Sequence, residues 1–262
     1  MNIKILYVCH IGKECVCDPV VGRYSDAFVP ILGGAAHSKF INSEITDKMV
    51  HDDEGENISY LNSHFSEGTA FYWLTKHLDR LGYPDMVGLC HYRRVFDLDY
   101  NHLDLNTIYL KRCNCPIPGH HTFLGSYWAD PEMAVLIRDL YYNEFPQYFE
   151  LDQVLKNDYT FYDKEMFIMN LREFYHYSDY MMKCMGILVN QVYPIINKWH
   201  MENMSFSTAN FIYYRGFSYL LEYFAALYFA MLQKRGYRIQ VTPLTEGSVH
   251  DNYGHLCVPR RC

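Results

Sequence analysis

Residues 86–96 read MVGLCHYRRVF: an apolar run enters His91, Tyr92, Arg93 and Arg94 and turns apolar again at once. Such a run reads as an interior strand of a parallel sheet. In open α/β sheets, ligands gather beyond the carboxyl ends of the strands. Two guanidiniums at that place suit an anionic ligand, because each can grip phosphate or carboxylate oxygens bidentately. A structural ion-pair cluster at a solvated strand end is the alternative. A second apolar strand, IKILYVC at 3–9, also ends in a polar side chain, His10. Asp97-Leu98-Asp99 is a literal D-x-D tripeptide of the kind that holds a divalent cation, though it lies several residues past the strand end. Cys113, Cys115, His120 and His121 have zinc-ligating chemistry, but their spacing fits no zinc module. Walker A loops, G-x-S-x-G elbows and G-x-G-x-x-G fingerprints are absent from the sequence.

The elements that must position these residues follow from pattern. IKILYVC is a first strand and AFVPIL a short extended segment before a Gly33-Gly34 turn. Ala70, Phe71, Trp73, Leu74, His77, Leu78 and Leu81 recur at helical spacing, with Ser66 or Asn62 as candidate caps and Glu67 in the first turn. DMVGLC is the next strand, so the strand–helix–strand order predicts a right-handed crossover in a mostly parallel sheet. The chain after Arg94 reads as loop up to KRCNC; helices are expected at 130–145, from Leu171 with a break near Gly186, and at about 211–234. FYDKEMFIMN reads as a short strand and YRIQVTPL as an edge strand or tail. Residues 1–262 are read as one domain, with a nucleotide-sugar-binding half at about 1–115 and a helical half at about 116–262.

Composition bounds the function. Half of the 262 residues are apolar and the net charge is −7, which argues against general nucleic-acid binding. No run reaches ~18 uninterrupted apolar residues and no secretory signal is recognisable, so a cytoplasmic protein with its nine cysteines reduced is expected.

HDDEGENIS, EGTAFYWLTKH, VGLCHYRRVF, EMFIMN and YYRGF, in that order, resemble a bacterial family of capsular and exopolysaccharide glycosyltransferases. That family began as a domain of unknown function and includes galactofuranosyltransferases that use UDP-galactofuranose. The resemblance implies a GT-A-like fold, a UDP-sugar donor and transfer onto a growing capsular, exopolysaccharide or O-antigen glycan. Another activated hexose or deoxyhexose, or a non-catalytic sugar-binding module, is the alternative. It further implies that His10, Asn57, Glu67, Lys76, His91, Tyr92, Arg93 and Arg94 bind donor, the arginines stabilising the departing diphosphate without requiring a metal. Mn2+ or Mg2+ held by Asp97 and Asp99 is the reserve reading. An inverting transfer needs a carboxylate base; Glu165 and Asp163 are the candidates, with Asp53 in reserve. Acceptors in such a family are usually lipid-linked, which implies peripheral contact with the inner face of the cell membrane. Departures from the family pattern include Leu74-Thr75-Lys76-His77 in place of W-x-W-K-N and Glu165 where an asparagine usually precedes MFIM.

Overall fold

The computed structural model describes residues 1–10, 19–37, 49–92, 94–114, 131–149, 160–195, 198, 209–242 and 244–246. Two compact units result. The first comprises 1–112, 164–175 and 237–262; the second comprises 113–163 and 176–236.

Among the described residues the first unit is built on a nine-stranded mixed sheet. Its central strands are β1 (Ile3–Cys9) and β4 (Met86–His91), which pair in parallel, with β2 (Phe28–Leu32) on the other side of β1 and β3 (Val50–His51) beyond it. These strands are continuous apolar runs because both faces are covered. One face, through Ile5, Tyr7, Met86 and Cys90, packs into a cluster with Phe28, Phe96 and Tyr100. The other meets α3 (Gly68–Lys76), where Phe71 of the helix lies 6.2 Å from Phe167 and 6.0 Å from Phe174, ring centre to ring centre. Gly88 leaves no room for a side chain between its neighbouring strands: a Cβ there would come within 2.7 Å of the Phe167 carbonyl oxygen.

Three features differ from the sequence expectations. The EMFIMN segment belongs to an 11-residue strand, β7 (Thr160–Asn170), and runs antiparallel to β4. Strand direction is invisible in a strand's own residues, because a buried apolar run serves either sense. The stretch after Arg94, expected as loop, contains β5 (Arg94–Phe96) and β6 (Thr107–Asn114). The edge strand β8 (Arg238–Val241) pairs in parallel with β6, and β9 (Leu244–Glu246) pairs with β5. Last, the helix expected to be capped by Ser66 or Asn62 is broken there. A short α2 (Asn62–Phe65) ends at Ser66, whose φ is +51°, and α3 starts afresh at Gly68. The Asn62 amide donates instead to the Ser66 carbonyl and to Thr69 Oγ1, bridging the break.

The second unit is helical. It contains α4 (Pro131–Glu144), most of α5 (Leu171–Ile187) and α6 (Ala209–Lys234). After Ile187 the helix widens to a π-turn at Leu188–Val192, close to the break expected near Gly186. Its interior is aromatic: Tyr141 stacks on Phe224 at 4.7 Å, and Tyr141 and Tyr180 share a 2.6 Å hydroxyl contact. Among the described residues no helix is long and apolar enough to cross a membrane.

Candidate functional site

Parallel pairing brings the ends of β1 and β4 level, with Val8 opposite His91 in register. Side chains alternate along a strand, so His10, Val8 and Leu6 share a face with His91, Leu89 and Val87. This is the α3 face, opposite the cluster that holds Tyr7, Cys9 and Cys90. Because α3 begins at Gly68, its N-cap residue Glu67 is delivered to the same edge. Glu67 Oε1 lies 3.5 Å from His10 Nε2 and 3.4 Å from His91 Nδ1, and the three side chains are 18%, 21% and 12% exposed. Burial acts to raise the Glu67 pKa; the charge of His91 and the contact with His10 outweigh it and hold the carboxyl well below the usual range. Glu67 is thus a retained carboxylate facing two imidazoles. Tyr92 is buried beside them with its ring edge-on to His10 at 5.6 Å, its N–H donating to the Val8 carbonyl and its own carbonyl accepting from Tyr7 Oη.

The neighbouring edge is held by a different carboxylate. Asp52 is fully buried and accepts from the Gly34 and Ala35 N–H groups at 2.9 Å, from Thr69 Oγ1 at 2.6 Å and from Ser59 Oγ. It ties the turn after β2 to α3, and so sets where α3 begins. Gly34 is required in that turn: its φ is +75°, and a Cβ would come within 2.8 Å of Asn62.

With this arrangement established, likeness to known proteins is informative. Residues 4–234 match the family described as a domain of unknown function, DUF4422. The chain belongs to the DUF4422 family. No curated protein matches it. A solved structure of WbbM, described as a bifunctional glycosyltransferase in its apo form, superimposes with a TM-score of 0.70 at 18% identity, covering 95% of this chain and 46% of that one. This DUF4422 chain therefore spans less than half the length of WbbM, and the shared property is the fold. That fold is GT-A-like: a mixed, mostly parallel sheet flanked by helices.

The remaining candidates of the DUF4422 chain divide by location. His10, Glu67, His91 and Tyr92 come together as described. Arg94 opens β5, half-buried and paired in register with His91. Arg93 lies outside the described residues, as do the side chains of Asp163, Cys113, Cys115, His120 and His121. Glu165 is buried in β7 with a φ of +52°, an uncommon and strained backbone for a side chain of its size. The β4–β7 register ends at Leu89 with Phe167, two residues before Glu165 is reached, and His91 pairs with Arg94 instead.

Other candidates have structural partners. Asn57 donates to the Asp53 and Gly55 carbonyls and accepts from Ser59 N–H, closing the acidic turn on itself, while Asp53 is exposed. Lys76 pairs with Glu56 at 2.6 Å, and Glu56 also accepts from Tyr72 Oη. Trp73 is fully buried, with Nε1 donating to the Glu54 carbonyl. Asp97 is exposed, and the Asp99 carboxylate is engaged by Tyr24 Oη, His102 Nδ1 and Asn101 N–H. Among the described residues no group of three or more His, Cys, Asp or Glu side chains is arranged to hold a metal ion. Asp52, Ser59 and Thr69 escaped the sequence reading. The adjacent aspartates 52 and 53 gave a signal, but nothing local distinguishes the buried one from the exposed one.

Proposed function

We propose that the chain is a glycosyltransferase whose donor, a nucleotide-diphosphate sugar, binds at the carboxyl edge of β1 and β4. Of the observations above, one supports this reading most: a carboxylate kept ionised between two half-buried histidines, one of which, His91, pairs with Arg94. Arg93 and Arg94 take the diphosphate and neutralise the charge that develops as it leaves. Glu67 accepts hydrogen bonds from donor hydroxyls, and His10 and His91 keep it ionised and oriented. The acceptor hydroxyl oxygen attacks the anomeric carbon from the face opposite the diphosphate, whose C–O bond breaks with its electron pair. The hydroxyl proton passes to a carboxylate base, for which Glu165 and Asp163 are the candidates, with Asp53 in reserve. The arginines supply the positive charge at the diphosphate, with Mn2+ or Mg2+ as the reserve source.

UDP-galactofuranose is the proposed donor, on the strength of the sequence resemblance. The product is a capsular, exopolysaccharide or O-antigen glycan extended with inversion on a lipid-linked acceptor. Work in the cytoplasm, with peripheral contact at the inner face of the membrane, belongs to the same proposal. A screen of nucleotide sugars against synthetic acceptors tests it, with the melting temperature followed in millimolar UDP, since a ligand of the native state raises it by mass action. Transfer from UDP-galactofuranose supports the full reading. Transfer from another hexose or deoxyhexose donor keeps the class and replaces the sugar. Stabilisation by UDP with neither transfer nor donor hydrolysis makes the protein a binding module.

A further inference from the structure

The family match ends at residue 234, yet a segment beyond it reaches the edge just described. Strand β9 pairs antiparallel with β5 through three registered pairs: Arg94 with Glu246, Val95 with Thr245 and Phe96 with Leu244. Strand β5 is short and meets β4 through a single pair, His91 with Arg94. Tyr92 and Arg94, on either side of these strand ends, are held differently. Tyr92 is locked to β1 from both sides, by Val8 and Tyr7. Arg94 lies on a three-residue strand whose other ladder is supplied by β9, and Leu244 of β9 packs against the core cluster that includes Val95 and Phe96. A strand end held by one pair frays; a ladder on its second edge suppresses that opening.

We propose that β9 is a positioning strand for the anion-binding edge: its pairing with β5 fixes the backbone of Arg94 in the geometry that grips the donor diphosphate. The inference rests on the donor-site reading above and adds to it a segment outside the family-matched residues. Residues 244–246 touch no reacting atom; they act through Arg94.

Two variants test it: the chain stopped after Thr242, which keeps β8, and Thr245→Pro, which removes an N–H from the strand. Tyr180→Phe in the helical unit is the control for general destabilisation. Amide hydrogen exchange of Arg94, Val95 and Phe96 is read in the free protein, and UDP affinity is read by calorimetry. We expect faster exchange at these three amides in both variants and UDP binding weakened about tenfold, a loss of about 1.4 kcal/mol, with the control unchanged in both measurements. Donor KM should rise by a similar factor with kcat less affected. Unchanged exchange on β5 overturns the inference whether or not UDP is the ligand. Faster exchange with unaltered UDP affinity also overturns it, leaving β9 a stabilising strand only. A control that weakens UDP binding as much as the variants do refutes a specific positioning role. A wild-type chain that binds no UDP, yet shows the exchange effect, removes the donor-site reading and this inference with it.

Discussion

The two units bury titratable groups in opposite ways. In the helical unit Tyr141, Tyr180 and Cys184 are enclosed among apolar and aromatic side chains, and burial pushes all three pKa values well above their ordinary range. They stay neutral, and their polar atoms are satisfied within the unit, as where Tyr180 Oη donates to the Phe224 carbonyl at 2.8 Å. In the sheet unit burial works on Glu67 in the same direction, toward the neutral form, but His91 and His10 reverse it. A pocket that keeps a charge under partial burial has cationic groups placed to hold it. Aromatic packing builds a core; the histidine–carboxylate cluster builds a site.

Within the sheet unit the largest effect should come from Asp52. Asp52→Ala strands two backbone N–H groups and two hydroxyls at a fully buried position. It should cost roughly 3–5 kcal/mol of stability, measured by denaturant titration. A loss below about 1 kcal/mol would show that water replaces the carboxylate and that the edge is not preorganised. Arg94→Ala should lower turnover by about one to two decades with the fold intact, as one charge-assisted contact is lost. Lysine at that position should rescue only part, because it keeps the charge but not the fork. Full activity in the alanine variant would make the arginine structural.

The contrast between the units also has a pH signature. Glu67 has its pKa depressed by folding, so its contribution to stability is complete above the unfolded value of about 4.3 and is lost as pH falls through the lower folded value. The stability gap between wild type and Glu67→Gln should therefore be steady just above pH ~4.5 and close on further acidification. A gap that persists undiminished at the lowest pH would mean that packing, not charge, holds this residue. The helical unit responds on the alkaline side. Tyr141 and Tyr180 bind their protons more tightly when folded, so stability falls as pH rises past the unfolded value of about 10. Their tyrosinate absorbance should appear only with unfolding. The smallest effect belongs to Tyr180→Phe, which should cost about 1 kcal/mol for its hydroxyl and leave transfer rates unchanged. A large loss of activity in that variant would break the division between a core and a site.

Much of this was legible along the chain, for identifiable reasons. The run into His91 announced both a buried strand and a polar end, since continuous apolar sequence is sustained only where both faces are covered, as they are on β4. His10 was found by the same logic at the end of β1. The helices at Pro131–Glu144, Leu171–Ile187 and Ala209–Lys234 followed from periodicity that packing did not override. The break at Ser66 did not follow, because its cause is a buried aspartate arriving from β3 to claim Gly34, Ala35 and Thr69. The start of β6 read as loop although Thr107–Leu110 are buried, because its apolar run, Ile108 to Leu110, is too short to announce a strand by pattern.

Residue types, order and local period determined by themselves that this is an α/β protein whose β1 and β4 run into His10 and His91. Tertiary structure alone decided which of two adjacent aspartates is buried, that β7 runs antiparallel to β4, and that Glu67 lies between His10 and His91. It alone placed β9 beside Arg94, some 150 residues further along the chain. The physical reason is range: propensity and periodicity act over a few residues, whereas strand direction, charge pairing and the burial of one carboxylate depend on which distant segments fold onto the same edge.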